Sequence, residues 1–216
     1  MTSNITGVTF EFRDMHLHGS AFCEFLALRK RFFVDTLAWN IPHDDRLEMD
    51  QYDNPTASYS LVRKDGRIVG GARIMRFADR WGPHGCMLRD AGEGKLVDIP
   101  AATLPMDRSF ATASECTRLV ICDSLRTGQD REHALGLVVD GLVDLALKSG
   151  SDELVTLTVP SFVRTLKRLG YDAGQIGQRY RNAQDGRSYA VLGMPARRRG
   201  SAGLPLEVDP PRLRER

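Results

Sequence analysis

Between positions 113 and 159 the chain spells out a strand, a long helix and a second strand with almost no residue to spare. Residues 113–122 read as a central strand. Residues 131–148 carry Leu135, Val138, Val139, Leu142, Leu145 and Ala146 as one apolar stripe, and Gly150 suits the C-cap. Residues 153–159, apolar at Leu154, Val155, Leu157 and Val159, read as a buried strand. Two strands joined by such a helix pair in parallel through a right-handed crossover. Whatever else the chain does, this run commits it to an α/β fold.

The flanks extend the sheet. Residues 8–12 (VTFEF) alternate as a strand should, and Ser20 can cap a helix over residues 21–37. Residues 58–63 and 68–76 enclose the turn Lys64-Asp65-Gly66-Arg67, a clear hairpin. Residues 78–112 form a long connection with little periodicity. Its AGEGK is no phosphate loop, because Arg89 and Leu96 stand where a Gly and a Ser or Thr are required. Downstream, Ser161 can cap a short helix ending at Leu169-Gly170. Residues 175–181 and 188–194 read as two last strands around Asp185-Gly186. The order is strand, helix, hairpin, strand, helix, strand, helix, two strands, on one mixed sheet.

A length of 216 residues with 42% hydrophobic content suits a single domain, placed here at residues 1–195. No apolar run approaches the ~18 residues of a membrane span, and the N-terminus lacks a secretory pattern. Cys23, Cys86, Cys116 and Cys122 have no metal-type spacing, so reduced thiols and a cytoplasmic location are expected. The formal charge is +2. From Arg197 onward six Arg face Glu207, Asp209 and Glu215, so the tail carries +3 and the rest about −1. Residues 196–216 are expected to be a basic, disordered tail. No zinc-finger, RNP or heptad pattern accompanies it, and no nucleic-acid partner is expected. His16 and His18 form an H-x-H pair without a third ligand, so no metal site is expected, and His43 lies in an acidic loop.

The chemistry concentrates in residues 28–53, LRKRFFVDTLAWNIPHDDRLEMDQYD. Phe22, Phe25, Leu26, Arg29 and Phe33 share one helical face, and Arg29 is the anomaly among aromatics. Either its stem packs while its head reaches water, or its guanidinium is half-buried and awaits a carboxylate. Asp50 and Asp53 close the loop, beside Trp39. Arg73 follows on a strand where Gly70 and Gly71 permit close approach, sharing a face with Val69, Gly71 and Met75. It is either an edge residue or part of a salt-bridged cluster with the acidic loop. Strict alternation places Glu115 and Arg118 on opposite faces, and both serve one site only if the strand bulges between them.

These residues in this order resemble the acyl-homoserine lactone synthases, the LuxI-like autoinducer synthases of quorum sensing. The resemblance rests on Leu28-Arg29, Phe33 four residues on and Trp39 six further. It continues through the D-x-x-D of Asp50 and Asp53, Arg73 after a hairpin, and the E-x-x-R of Glu115 and Arg118. It spans roughly residues 8–194. The chain departs from the pattern at Ala38, where a Gly is usual before the Trp, and most of all in residues 77–112. The resemblance implies a GNAT-like three-layer sandwich, with a mixed central β-sheet flanked by helices. It implies an acyltransferase with S-adenosylmethionine as substrate rather than cofactor, and an acyl thioester on acyl carrier protein or coenzyme A. The amine takes the acyl group, the lactone closes, and methylthioadenosine leaves.

On that footing Trp39 and Phe33 offer π faces to the sulfonium or adenine. Arg29 pairs with the substrate carboxylate. Asp50 and Asp53 hold the ammonium or lock Arg73 and Arg29. Glu115 is the expected base, Arg118 holds Glu115 or the neighbouring loop, and bulge N–H groups serve the oxyanion. Residues 123–130 contain one Gly, and Leu125 stands where a GNAT pyrophosphate nest has Arg or Gln, which favours a carrier protein. Arg126, Arg131, Lys148, Arg164, Lys167 and Arg168 are the expected docking charges for that acidic partner. Thr156 matches a position tied to 3-oxo acyl chains. The competing readings are an N-acyl amino acid synthase and an inactive lipid-binding relative.

Overall fold

The computed structural model describes residues 4–105 and 107–199. The strands are β1 (Ile5–Glu11), β2 (Ser58–Lys64), β3 (Arg67–Arg76), β4 (Ala113–Ile121), β5 (Glu153–Thr158), β6 (Gly174–Gln175), β7 (Tyr180–Arg181) and β8 (Ser188–Pro195). The α-helices are α1 (Ala21–Arg29), α2 (Met87–Gly92), α3 (Gly128–Lys148) and α4 (Phe162–Arg168). One sheet runs β1-β2-β3-β4-β5-β8-β6, with β7 paired to β8. β4 and β5 pair in parallel and every other pairing is antiparallel. This is the mixed sheet that a strand–helix–strand run inside a series of hairpins requires.

Alternation along the strands sorts side chains onto two faces. Tyr59, Leu61 and Met75 pack with Phe22, Phe25 and Leu26 of α1. Val62, Ala72 and Ile74 pack with Val138, Val139 and Leu142 of α3. Helices on both faces make three layers. The β2–β3 hairpin turns on Asp65 and Gly66, both at positive φ (52° and 81°), the two-residue turn whose twist matches its strands.

Several elements differ from the sequence reading. β1 starts earlier, at Ile5, and residues 12–18 coil into a 3-10 helix in which His18 stacks on Phe10. The helix expected over residues 21–37 changes character at Lys30, becoming a π-helix over Lys30–Thr36. Neither Ser20 nor Ser161 caps through its side chain, and the Ser20 hydroxyl donates to Glu24 instead. α3 begins at Gly128, because the Thr127 hydroxyl accepts from the Asp130 N–H and fixes the start there. A bulge in β3 leaves Val69 without a partner between the pairs Val62–Gly70 and Arg63–Ile68. Val69 therefore packs on the α3 side, not beside Arg73. The strand expected over residues 175–181 is broken into β6 and β7.

The expected boundary at Pro195 also moves. Ala196 is buried and its N–H bonds to the Asp152 carbonyl. Arg198 pairs with Asp140, and Arg199 pairs with Asp172. Acidic partners on the domain hold the first tail arginines, whereas the rest of the expected tail lies outside the described residues. Among the described residues no helix is long and apolar enough to cross a membrane.

Candidate active site

Gly71 sets the position of α1. A Cβ there would lie 2.4 Å from Leu61 and 3.0 Å from the Phe25 ring, so its absence lets Phe25 settle on β3. One helical turn later Arg29 is fully buried beneath the same face. Its Nη1 and Nη2 donate to the two carboxylate oxygens of Asp53 at 2.7 and 2.9 Å, and its Nε donates to Glu48. Arg73, equally buried, donates to Asp50 at 2.6 and 3.2 Å and to Thr117 Oγ1 at 3.2 Å, and lies 3.0 Å from Asp53. Tyr59 adds its hydroxyl to Asp53 at 2.9 Å.

β4 completes the network by bulging. Gly71 pairs with Val120 but Arg73 with Thr117, so β4 carries one extra residue, and Arg118 takes φ +58°. The bulge turns Arg118 onto the face of Thr117. There it donates to Asp50 at 2.7 Å and Glu48 at 3.3 Å, with its guanidinium over the Phe33 ring. Three guanidiniums and three carboxylates close on one another, as buried charges must. Burial works against ionisation of Asp50 and Asp53, but Arg73 with Arg118, and Arg73 with Arg29, hold both carboxyls below the usual range.

The network backs a cavity of about 490 Å³. Of the sequence-selected residues, Phe33, Trp39, Asp50, Arg118 and Thr156 line it, while Arg29, Asp53, Arg73 and Glu115 do not. Arg29 was expected to pair with a substrate carboxylate; it lies behind the wall, with each guanidinium nitrogen donating to Glu48 or Asp53. Phe33 and Trp39 stack at 5.1 Å between centroids. The π-helix brings them together: the Leu37 N–H bonds five residues back to Phe32, and the Trp39 N–H bonds to Phe33. Ala38 between them sits at φ +56°, a left-handed conformation costing a non-glycine residue about 1–2 kcal/mol.

Glu115 occupies a different place from the one expected of a base. Its Oε1 accepts from the Leu88 N–H at 3.0 Å, at the start of α2, and it lies beside Cys86. Burial pushes its carboxyl up to about 7. That affinity suits proton transfer, but the group faces α2 rather than the cavity. Lys95 of AGEGK donates to the Pro83 carbonyl and to Asp90. His43 is exposed, with its ring against the Ile41 carbonyl.

The six expected docking charges are all exposed, with Arg131 paired to Asp123 and Arg168 to Glu132. They do not form one patch. Lys148 ends α3, 17 residues beyond Arg131, and so lies about 25 Å along the axis from the cavity end. Two participants escaped the sequence reading. Glu48 is two residues before Asp50, so an extended loop would have put both on one side. Asp185, which accepts from the Trp39 indole at 2.9 Å, lies 146 residues away and left no local signal.

β4 and β5 pair from Ala113–Glu153 as far as Glu115–Val155 and then diverge, β4 staying with β3 and β5 with β8. The cavity opens between them. The family profile of autoinducer synthases matches residues 14–199 of this chain, across all of these elements. The chain belongs to the autoinducer synthase family. An acyl-homoserine-lactone synthase of Rhizobium radiobacter is 28% identical over 192 residues, covering 86% of this chain and 84% of the relative. One from Ralstonia nicotianae is 30% identical over 156 residues, covering 69% and 70%. The solved structure of BjaI, a CoA-dependent acyl-homoserine lactone synthase with SAM and isopentyl-CoA, superposes with a TM-score of 0.71 at 17% identity. That superposition covers 90% of this chain and 85% of BjaI. This synthase is accordingly an acyltransferase of the GNAT-like fold that makes acyl-homoserine lactones.

Proposed function

We propose that the synthase binds S-adenosylmethionine with its amino-acid end at Asp50 and Arg118 and its sulfonium and adenosine against Phe33 and Trp39. One observation carries this reading: Asp50 and Arg118 belong to the buried network and also line the cavity, 2.7 Å apart. An anion and a cation side by side complement the ammonium and carboxylate of a zwitterion. Asp50, kept ionised by Arg73 and Arg118, takes the ammonium. Arg118 Nη1 donates to no acceptor among the described residues and takes the carboxylate, the task expected of Arg29. The stacked aromatics offer electron-rich faces to the sulfonium.

The ammonium first gives one proton to water, and the freed amine nitrogen attacks the thioester carbonyl. The new C–N bond replaces the C–S bond, and the donor leaves as a thiol carrying the amine's second proton. The substrate carboxylate then attacks its own γ-carbon, breaking the bond to the sulfonium, and methylthioadenosine departs. Glu115 is a positioning residue here. It holds the start of α2, whose Met87 is part of the cavity wall.

The acyl donor enters between β4 and β5. Beyond Glu115 and Val155 their facing edges have no strand partner among the described residues, which leaves a gap where the amides of an extended pantetheine arm can pair. We assign that arm to a carrier protein. Leu125 is buried where a pyrophosphate nest needs a polar residue, and Thr127 already occupies the α3 N-terminus. Arg126, Arg131, Arg164, Lys167 and Arg168 lie at this end of the domain as docking charges for an acidic partner. Both substrates are cytoplasmic, and we place the enzyme there, acting as one domain.

The deciding experiment incubates the protein with S-adenosylmethionine and a panel of acyl-carrier and acyl-coenzyme A thioesters, following products by mass spectrometry. Methylthioadenosine and an acyl-homoserine lactone should appear together, most rapidly from a carrier-linked donor. Asp50→Asn should lower kcat/KM for S-adenosylmethionine about 100-fold. Acylation of some other amine, or an Asp50→Asn variant as active as the parent, would overturn the reading.

A further inference from the structure

The turn between β7 and β8 touches no part of the charged network, yet it reaches across the cavity mouth to Trp39. Asp185 Oδ2 accepts from the Trp39 indole N–H at 2.9 Å and from the Tyr189 hydroxyl at 2.6 Å. Next to it the Gln184 side chain accepts from the Asn40 N–H at 2.8 Å. The turn is itself rigid. The Asn182 N–H bonds to the Arg187 carbonyl, the Gly186 N–H to the Asn182 carbonyl, and the Arg187 N–H to Asp185 Oδ1. The Tyr189 ring meets the indole edge to face at 6.1 Å, and the Phe33 ring stacks on it at 5.1 Å. Trp39 is thus held by two rings and through its side-chain polar atom.

We propose that Asp185 is a positioning residue for the reaction, orienting the indole that receives S-adenosylmethionine. The need for it lies at Ala38. The residue before Trp39 adopts a left-handed backbone that alanine disfavours, so local sequence alone does not hold the indole in the cavity. Two bonds from the far end of the chain, Asp185 to Trp39 and Gln184 to Asn40, supply what the local backbone lacks. A carboxylate suits the task because one oxygen serves both the indole and the phenol while the other holds the turn. The inference rests on the assignment of Trp39 to the S-adenosylmethionine site, but the latch itself can be examined without substrate.

Trp81 is half exposed and its backbone pairs with His84; the sequence has two tryptophans, so Trp81→Phe leaves Trp39 as the sole one. In that background Asp185→Ala should shift the emission of Trp39 to longer wavelength and raise its accessibility to acrylamide at least threefold, with no substrate present. With S-adenosylmethionine and donor, KM for S-adenosylmethionine should rise about tenfold while kcat stays within about threefold. Asp185→Asn keeps one acceptor oxygen and should fall between the two. Gln184→Ala, which removes only the second bond, gives a smaller change in the same direction and serves if Asp185→Ala does not fold. Unchanged emission and quenching in Asp185→Ala would refute the latch. A changed emission with an unchanged KM would refute the role in substrate orientation, and binding of S-adenosylmethionine by the parent protein separates that result from a wrong substrate.

Discussion

The two walls of the cavity are built by opposite means. On one side α1, the loop ending at Asp53, β3 and β4 converge on a closed set of charges, each with two or more partners and little exposed. On the other side residues 95–99, the end of β5 and the β7–β8 hairpin mix apolar and aromatic side chains such as Leu96, Ile99, Leu157, Tyr180 and Tyr189 with separate polar ones, and Val97 stands 98% exposed. The first wall is fixed before any ligand arrives, which suits recognition of a small zwitterion whose charges never vary. The second has no such closed set of charges and leaves the cavity open.

The sharpest way to break this contrast is Arg73→Met. It leaves Asp50 and Asp53 buried without their shared cation and should cost about 3–5 kcal/mol in urea unfolding. A loss below 1 kcal/mol would mean that the charged wall is not fixed. Glu115 sharpens the comparison through pH. Its carboxyl titrates near 7 when folded and near 4.5 when unfolded, so the folded chain holds that proton more tightly. Its contribution to stability is present at low pH and lost as pH rises from 4.5 through 7, a difference of about 3 kcal/mol. Asp50 and Asp53, held low, act in the opposite sense, and their contribution is lost only as pH falls below the ordinary carboxylate range. Glu115→Gln should remove the decline between pH 5 and 8, and an unchanged slope would point to another group.

On the second wall effects should be smaller and fall on selectivity. Thr156→Val should change the ratio of 3-oxo to unsubstituted product about fivefold, the worth of one neutral hydrogen bond, with unfolding little altered. Product analysis by mass spectrometry checks this, and a constant ratio would remove Thr156 from acyl selection. The smallest effect is expected at Ala38→Gly, where relief of the left-handed backbone outweighs the added chain entropy by about 0.5–1 kcal/mol. A lower melting temperature would mean that Ala38 is not strained.

What could be read from the sequence divides along the same line. Arg29 stood out because a charge among aromatics needs a partner, and Asp50, Asp53, Arg73 and Arg118 stood out as an ordered set of charges on the loop and strands that follow it. Helix α3 and the β2–β3 hairpin were equally plain, since periodicity and turn residues are local signals. Glu48 was hidden by its acidic neighbours Asp44 and Asp45, which resemble ordinary loop polarity. Asp185 could not be paired with Trp39, because nothing local distinguishes a turn aspartate that binds an indole from one that only turns the chain. The surroundings of Glu115 were hidden for a related reason. α2 lies in the stretch with least periodicity, so the N–H groups awaiting that carboxylate were invisible.

The charged wall also bears on how the chain folds. Its six ionised groups come from four segments between Arg29 and Arg118, and no pair of those segments satisfies all its own charges. A half-assembled form would bury ions without counter-ions, so partial structures are penalised until α1, the loop, β3 and β4 are all in place. Backbone amides in these four segments should therefore exchange with solvent as one cooperative unit, and loss of the catalytic apparatus and loss of the core should be the same event.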